Sequence, residues 1–506
     1  MTIARLTPDP TRVVGPVQRR LFGGFVEHLG RHVYDGIYEP GHPTAGPDGF
    51  RRDVIDLVRE LGVSTIRYPG GNFVSGFRWE DSVGPRPRRP RRLDLAWHST
   101  ETNEVGLHEF AAWLEAVGSD LMLAVNLGTR GIQEALDLLE YANAPGGTAL
   151  ADRRRANGRE EPFAVDMWCL GNEMDGPWQI GHRSADDYGV LAARTASAMR
   201  LLDPSIRLVV CGSSGSHMPT FGEWERVVLG HAYDQVDYIS CHAYYEERDG
   251  DVASFLASGV DMDRFIEAVV ATADHVGAVR RSPKRIDLSF DEWNVWYQSR
   301  FEGVDKIEGI DNWPVAPRLL EDVYSVTDAV VVGSLLISLL NHADRVTSAS
   351  LAQLVNVIAP IMTEPGGAAW RQTTFFPFAT TSRLAQGEAL AVAVDAPTLV
   401  TDAYGEVPVV DAAVTWDGST GSGAAFVVNR SPDRPLTVEL DLSRLPAGVG
   451  AAGAVLLADP DRHARNTVSE PERVGLTPLA VERGEGVLSV ELPPVAWAAL
   501  PLRVVD

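Results

Sequence analysis

The segment Ile286–Trp296 reads IDLSFDEWNVW, and the segment Asp166–Glu173 reads DMWCLGNE. Each contains a predicted strand, Ile286–Phe290 or Asp166–Leu170, whose apolar run is followed by an acidic residue, a pattern typical of a buried parallel strand that leads into a polar loop. Amphipathic segments with a 3.6-residue spacing occur between such runs, as in Asp53–Leu61, Leu107–Val117 and Ala185–Leu202. The other predicted strands are Leu21–Leu29, Thr65–Gly70, Leu121–Leu127, Arg207–Cys211, Val236–His242 and Val346–Leu351.

Strands that alternate with helices in this way predict an α/β fold, and eight of them predict a (β/α)8 TIM barrel. An open, doubly wound sheet is the alternative. The chain has no GxGxxG or Walker A sequence at the start of a helix, which disfavours a nucleotide-binding version of that alternative.

The sequence changes character after about Phe378, where helical spacing gives way to short Val-, Thr- and Ala-rich runs separated by turns. This pattern predicts a C-terminal antiparallel β-sandwich. The strand-like N-terminus is expected to pair with that domain. We therefore divide the chain into an N-terminal strand of residues 1–15, a (β/α)8 barrel of residues 16–378 and a sandwich of residues 379–506.

The charge balance limits the possible partners. Lys and Arg number 45 against 69 Asp and Glu, which gives a formal charge of -24. An acidic surface repels nucleic acid and anionic membranes, so we expect neither as a partner, whereas a neutral sugar is indifferent to this charge. The basic stretch at residues 85–92, PRPRRPRR, is interpreted as a solvated or subunit-contacting loop.

The cellular location is predicted from three features. The cysteines Cys169, Cys211 and Cys241 are odd in number and lie in apolar runs, which favours buried thiols and a reducing compartment. The N-terminus lacks the apolar core of a secretory signal. The apolar stretch Ala329–Leu340 is too short to span a bilayer and predicts a buried helix. Together these features predict a cytoplasmic protein.

The residues at the predicted strand ends are carboxylates, amides and aromatics, which suit a sugar. Glycoside hydrolysis needs a proton donor and a carboxylate at the anomeric carbon, and Glu173 and Glu292 could supply both. Asp291 competes with Glu292, because successive strand side chains alternate and only one of the two should face the barrel centre. The strand ends also carry His28 and His242, which we interpret as hydrogen-bonded core residues, so neither a metal nor a cofactor is expected.

Several longer motifs resemble glycoside hydrolase family 51, the α-L-arabinofuranosidases. They extend over nearly the whole chain: FGGFVEHLGRHVYDGIYEP, IRYPGGNFVSGFRWEDSVGP, RRLDLAWHSTETNEVGLHEF, WCLGNEMDGPWQ, DYISCHAYYE, DEWNVWY, AQLVNVIAPI and NTVSEPERV. The resemblance implies a barrel with catalytic glutamates after strands 4 and 7, followed by a β-sandwich. It also implies a homo-oligomer, commonly a hexamer.

The resemblance assigns roles to individual residues. Glu173 in GNEMDGPWQ corresponds to the general acid/base, and Glu292 in DEWN corresponds to the nucleophile, which favours Glu292 over Asp291. The residues implied to bind the arabinose are Glu27, Asn72, Asn172, Tyr244 and Gln353, with Arg67, Trp97 and Trp296 near them. For Glu27, a buried structural acid paired with Arg67 is the alternative.

The implied activity is retaining, exo-acting hydrolysis of terminal α-L-arabinofuranosyl residues from neutral arabinose-containing oligosaccharides. A β-xylosidase or endoglucanase with the same machinery and a non-catalytic carbohydrate-binding barrel are the alternatives. A barrel isomerase or lyase is disfavoured, because no candidate strand end carries a lysine. The chain departs from the family pattern at SCHAYYE and in the loop 299–312, which affects the leaving-group side.

Overall fold

The computed structural model describes residues 3–504, and its central feature is a closed barrel of eight parallel strands. The last strand pairs with the first through Ser350–Ala352 and Gly23–Phe25, which closes the barrel. The TIM-barrel prediction is therefore confirmed, and the open-sheet alternative is wrong. The strands are β1 (Gly23–Phe25), β2 (Thr65–Tyr68), β3 (Asp120–Val125), β4 (Met167–Leu170), β5 (Arg207–Val210), β6 (Tyr238–Tyr245), β7 (Asp287–Val295) and β8 (Val346–Ala352).

Amphipathic helices surround the barrel, as their spacing predicts. Helix Arg52–Leu61 buries Val54, Ile55, Leu57, Val58 and Leu61 on one face and ends at Gly62, whose φ of 77° is left-handed. Glycine adopts that conformation without the steric penalty that a Cβ atom brings. The other long helices are Leu107–Val117, Ile132–Asn143, Ala149–Ala156, Ala185–Leu202, Glu223–Ala232, Ser258–Arg280, Val326–Asn341 and Phe375–Leu384.

Strand β1 is shorter than the predicted run Leu21–Leu29. Residues Arg19–Phe22 form a 3₁₀ turn, and only Gly23–Phe25 join the sheet. A Cβ atom on Gly23 would lie 2.4 Å from the carbonyl oxygen of Ala349, so the close approach of β1 to β8 requires glycine there.

Strand β7 is longer than the predicted run Ile286–Phe290 and continues through the acidic pair to Val295. Its pairing with β6 shifts register between Ser289 and Glu292. Such an irregularity interrupts the regular alternation of side chains. Asp291 and Glu292 both direct carboxylates toward His242 and Arg67, so the expectation that only one of them faces the centre is wrong.

The C-terminal part of the chain forms a large sheet, mostly antiparallel, that includes the N-terminal strand Ile3–Pro16. That strand pairs antiparallel with Glu388–Asp395 and parallel with Leu436–Asp441, the latter an exception to the predicted antiparallel order. The other strands on the path through this sheet are Val410–Asp417, Ser422–Asn429, Val455–Leu457, Thr477–Pro478, Glu482–Arg483, Val487–Leu492 and Ala496–Val504. The residue boundaries of the three units remain a prediction.

Three central strands of this sheet are buried on both faces, namely Val410–Asp417, Ser422–Asn429 and Ala496–Val504. In Ser422–Asn429, Ala425 and Val427 join the separate core of the sheet domain, whereas Phe426 and Val428 join the core of the barrel. The barrel side of this contact includes helix Val326–Asn341, whose apolar stretch is buried as predicted. Gly333 of that helix lies against Trp497, where a Cβ atom would come within 2.2 Å of the indole ring.

Candidate active site

A cavity of about 700 Å³ opens at the carboxyl ends of the barrel strands. This is the end of a TIM barrel at which catalytic residues gather, because the loops after the strands meet there. Eight of the ten predicted site residues line the cavity, namely Glu27, Asn72, Trp97, Glu173, Tyr244, Glu292, Trp296 and Gln353.

The carboxylate of Glu292, on β7, is held by one cation and one hydroxyl. Arg67 on β2 donates to Oε1 at 2.7 Å, and the Tyr244 hydroxyl on β6 donates to Oε2 at 2.7 Å. Burial raises the pKa of Glu292, while the positive charges of His242 and Arg67 oppose this rise. Burial also raises the pKa of Tyr244 well above its ordinary value, which keeps its hydroxyl a donor to Glu292.

The carboxylate of Glu173 follows β4 and is fixed by two nitrogen atoms. The indole of Trp178 donates to Oε2 at 2.7 Å, and Nδ1 of His242 lies 2.8 Å from Oε1. Glu173 has a left-handed φ of 44°, shortly after Gly171 at 92°. A non-glycine residue in this conformation is strained, so the turn is held by the surrounding contacts.

His242 connects the two catalytic candidates to Asp291. Its Nε2 lies 2.9 Å from Asp291 Oδ1, and its Nδ1 lies 3.6 Å from Glu292 Oε2 as well as close to Glu173. Burial alone would lower the pKa of His242, but the charges and hydrogen bonds of Glu292, Asp291 and Glu173 outweigh it and raise the pKa well above the ordinary value. The imidazole therefore links three carboxyl groups.

The two glutamates are close enough for a retaining mechanism. One oxygen of Glu173, one of Glu292 and a nitrogen of His242 all lie within 4.8 Å of one another. Retaining glycosidases place their carboxyl groups about 5–5.5 Å apart, whereas inverting enzymes leave room for a water molecule between them. The same three groups have the spacing of metal ligands, but the short contact between His242 and Glu173 is that of a hydrogen bond.

Glu27, after β1, accepts three hydrogen bonds and forms a second anchor point in the cavity. Its Oε1 accepts from the Phe73 amide and the Trp97 indole, each at 2.9 Å, and its Oε2 accepts from Gln353 at 3.1 Å. Burial raises the pKa of Glu27 to about 8. These donors replace the proposed pairing with Arg67, so that alternative is wrong.

Arg67 and Asn172 lie beside the catalytic residues and are not among those that line the cavity. The Arg67 guanidinium donates to Asn172 Oδ1 at 2.7 Å as well as to Glu292. The amide of Asn172 faces Asn72 Oδ1 at 3.3 Å, which ties the ends of β2 and β4 together.

Trp296 contacts Tyr244 edge to face, with ring centroids 5.0 Å apart. This contact fixes the ring that donates to Glu292, and both side chains border the cavity. The turn after β2 approaches from the opposite side, where a Cβ atom on Gly71 would lie 3.1 Å from Glu292 Oε1. Glycine at this position therefore leaves the space next to Glu292 free.

Sequence reasoning missed two functional contacts. His242 was interpreted as a core histidine, and its position directly across from Glu292 in the β6–β7 register would have been the available signal. The sequence pattern does not distinguish a core position from a site position for Trp178, although it follows Glu173 by five residues. Its indole is half-exposed at the cavity and holds Glu173.

Two other sequence features have structural roles. His28 is hydrogen-bonded to Glu101 and Tyr68, each at 2.9 Å, as expected of a core histidine. Within the basic stretch 85–92, Arg89 pairs with Glu109 and Arg92 with Asp81. These acidic partners neutralise part of the stretch.

Two family models match the chain. The model of the alpha-L-arabinofuranosidase 1 domain matches residues 57–257, and that of the alpha-L-arabinofuranosidase C-terminal domain matches residues 291–496.

Curated relatives match over the full length of the chain. An exo-alpha-(1->6)-L-arabinofuranosidase from Bifidobacterium longum is 59% identical, over 99% of this chain and 97% of that protein. An intracellular exo-alpha-(1->5)-L-arabinofuranosidase from Streptomyces lividans is also 59% identical, over 99% of this chain and 75% of that protein.

Solved structures share the architecture. A family 51 alpha-L-arabinofuranosidase from Bifidobacterium longum superposes with a TM-score of 0.96 at 51% identity, covering 99% of this chain and 100% of that one. An alpha-L-arabinofuranosidase from Thermotoga maritima, solved with arabinose, has a TM-score of 0.87 at 31% identity with the same coverage.

Among the helices in residues 3–504, none combines the length and apolar character that crossing a membrane requires.

Proposed function

Because the chain belongs to glycoside hydrolase family 51, the α-L-arabinofuranosidases, we propose that Glu292 is its nucleophile and Glu173 its general acid/base. The protein is a retaining, exo-acting hydrolase of terminal non-reducing α-L-arabinofuranosyl residues. The observation that carries the residue assignment is the approach of the two carboxylates to within 4.8 Å, each fixed by its own partners.

In the first step, a carboxylate oxygen of Glu292 attacks the anomeric carbon while Glu173 donates its proton to the departing glycosidic oxygen. The bond to the leaving group breaks as the bond to Glu292 forms. Arg67 stabilises the carboxylate of Glu292 in the free enzyme and orients it through a hydrogen bond of 2.7 Å. The Tyr244 hydroxyl holds the other oxygen.

In the second step, Glu173 removes a proton from a water molecule that attacks the anomeric carbon. The bond to Glu292 breaks, and the sugar leaves with its original configuration. Glu173 ends this step protonated, ready for the next cycle.

His242 stabilises the carboxylate form of Glu173, which acts as the base in the second step. Its raised pKa keeps a proton at the 2.8 Å contact between Nδ1 and the glutamate oxygen. Asp291 holds the other ring nitrogen and so sets the orientation of the imidazole. We assign His242 and Asp291 as positioning residues.

The sugar that is released binds between the catalytic pair and Glu27 in this proposal. Amide and carboxylate groups hydrogen-bond hydroxyls in defined directions, and Glu27, Asn72, Asn172, Tyr244 and Gln353 supply such groups. Arg67, Trp97 and Trp296 complete the surroundings by holding Glu292, Glu27 and Tyr244 in place.

The substrates are arabinose-containing oligosaccharides. We further propose that these oligosaccharides are neutral and that the enzyme meets them in the cytoplasm. Relatives are named for α-(1→5) or α-(1→6) linkages, and several are named intracellular, which supports neutral oligosaccharides as substrates and a cytoplasmic location. The family resemblance further supports a homo-oligomer, possibly a hexamer, which sedimentation velocity would test.

The residue assignment is tested by trapping the intermediate. Glu173→Ala should accumulate an arabinosyl adduct from an activated aryl α-L-arabinofuranoside, because departure of that aglycone needs little acid but the second step needs the base. Tandem mass spectrometry should place the adduct on Glu292, and Glu173→Ala/Glu292→Gln should show none. An adduct on Asp291 would overturn the assignment.

The stereochemistry gives an independent check. Proton NMR of the first product formed should show the configuration of the substrate.

A panel of aryl furanosides and pyranosides should show the arabinofuranoside as the preferred substrate. Preferred hydrolysis of a β-xylopyranoside would favour the xylosidase alternative.

A further inference from the structure

A second cavity, of about 270 Å³, lies beside the active-site cavity above the ends of β2 to β4. We propose that it is a distal subsite for a neutral sugar, the second unit on the leaving-group side of a linear arabino-oligosaccharide. This inference rests on the proposed function, because the direction of the leaving group is set by Glu173 as the acid.

The two cavities are built from the same three loops. Asn72 lines the active-site cavity and its neighbour Phe73 lines the second one. Trp178 lines the active-site cavity, and Ile180 of the same loop lines the second one. Leu95 borders both cavities. A chain of sugars that leaves the first cavity past these loops would reach the second.

One of the loops that the two cavities share is the loop that holds the acid. Glu173 is held by Trp178, and Ile180 of the same loop borders the second cavity. The leaving group is the part of the substrate that receives the proton of Glu173. Sugar units attached to the leaving group therefore extend toward this loop.

The walls of the second cavity have the chemistry of a sugar site. Phe73, Phe77 and Ile180 supply apolar surface, against which the C–H face of a sugar ring can pack. The polar side chains of Arg92, Asp94 and Thr129 border the same space and can hydrogen-bond sugar hydroxyls.

The charges around the cavity favour a neutral ligand over an anion. Arg92 at the rim is paired with Asp81 at 2.8 Å. The carboxyl groups of Asp94 and Glu101 lie in the same walls as Arg78. A phosphate or carboxylate ligand would meet these acids, whereas a sugar can donate hydroxyls to them.

The test compares chain lengths of the substrate. Wild-type enzyme should hydrolyse α-1,5-linked arabinotriose with a kcat/KM about tenfold above that for arabinobiose, because only the triose reaches the distal subsite. Equal values for the two would overturn the proposal. Hydrolysis of an aryl α-L-arabinofuranoside tests the proposed function separately, since that substrate cannot reach the second cavity.

A variant that fills the cavity separates binding there from the chemistry. Gly76 has a negative φ of -104°, and a Cβ atom on it would meet only Ile180, at 3.5 Å. The Phe side chain of Gly76→Phe should therefore occupy the cavity without backbone strain. It should reduce kcat/KM for arabinotriose to about the value for arabinobiose. Its kcat/KM for the aryl substrate should stay within about twofold of wild type.

The matched control is Gly230→Phe, the same change at an exposed helical position with no atom near the added Cβ. It should keep the triose preference. Should Gly76→Phe fold poorly, Leu93→Asp offers a second variant, because Leu93 borders the cavity and is 55% exposed. A triose preference that survives in a folded cavity variant would overturn the subsite.

Discussion

At the scale of single residues, the two catalytic carboxylates differ in what surrounds them. Glu292 is fixed by Arg67 and Tyr244, while Glu173 faces His242 and a half-exposed Trp178. The nucleophile is thus held next to a permanent cation, and the acid is held next to a group that can carry a proton. Their different environments match the different tasks proposed for them.

Removing the acid should affect substrates according to their leaving group. Glu173→Ala should lower kcat/KM for arabino-oligosaccharides by about 10²–10⁴, the usual contribution of general acid catalysis. Activated aryl arabinofuranosides should lose much less in the first step, and azide should restore turnover by replacing the water molecule. Steady-state kinetics with both substrates measure this.

Glu302→Ala is the control for that experiment, because it removes an exposed carboxylate from the rim of the same cavity. It should leave both activities close to wild type. Equal losses on oligosaccharide and activated substrates in Glu173→Ala would contradict the acid/base role.

The role of Asp291 can be separated from that of a nucleophile. Asp291→Asn removes a negative charge that raises the pKa of His242. The basic limb of the pH profile of kcat/KM should therefore move to lower pH, since the proton shared near Glu173 is lost earlier. Some activity should remain, whereas Glu292→Gln should abolish turnover. A complete loss of activity in folded Asp291→Asn, with the adduct absent from Glu292, would favour Asp291 as nucleophile.

At the scale of secondary-structure elements, short irregular segments create the site. The register shift in β7 lets Asp291 and Glu292 both reach His242. The glycine-rich turn after β2 brings backbone to within reach of Glu27 and Glu292. The first feature lies within a buried strand and the second directly follows one, so the barrel provides a rigid base for both.

The N-terminal strand should stabilise the C-terminal sheet through its buried residues. Leu6 is fully buried in the core of the sheet domain, whereas Ile3, in the same strand, is 44% exposed. Leu6→Ala should lower the free energy of unfolding by about 2–5 kcal/mol, because it leaves a cavity. Ile3→Ala, the matched control, should change it by only about 0.5 kcal/mol.

Differential scanning calorimetry would measure both variants. A loss of stability should appear in Leu6→Ala alone. Equal melting temperatures for Leu6→Ala and wild type would contradict the contribution of this strand to the sheet core.

At the scale of the whole molecule, buried ionisable groups set how stability depends on pH. Burial raises the pKa of Glu27 to about 8 and that of Asp94 to about 7, and carboxylates raise the pKa of His242. These groups hold protons in the folded state that the unfolded chain has lost. Burial lowers the pKa of His32 to about 3 and of His108 to about 4, but above pH 6.5 both are neutral in either state.

Stability should therefore fall as pH rises from 6.5 to 8. Each group that keeps one extra proton in the folded state contributes a slope of about 1.4 kcal/mol per pH unit. Urea unfolding at several pH values would measure the fall. Glu27→Gln should show a shallower slope in this window, and an unchanged slope would exclude Glu27 as a contributor.

Much of this molecule could be predicted from its sequence alone. The apolar runs and amphipathic spacing predicted the closed barrel, because burial on both faces of parallel strands demands such runs. The sequence also placed Glu173 and Glu292 at strand ends, and the family motifs assigned the arabinofuranosidase activity. The net charge of -24 disfavoured nucleic acid and anionic membranes as partners, whereas a neutral sugar is indifferent to it.

Only the tertiary structure decided how the polar side chains pair. His242 links Glu173 to Asp291, and Glu27 is held by Trp97 and Gln353 instead of Arg67. These partners are far apart along the chain, and their distances depend on strand register and on bulges. Local sequence patterns encode the burial and periodicity of each element, whereas hydrogen-bond partners are fixed only when the elements pack.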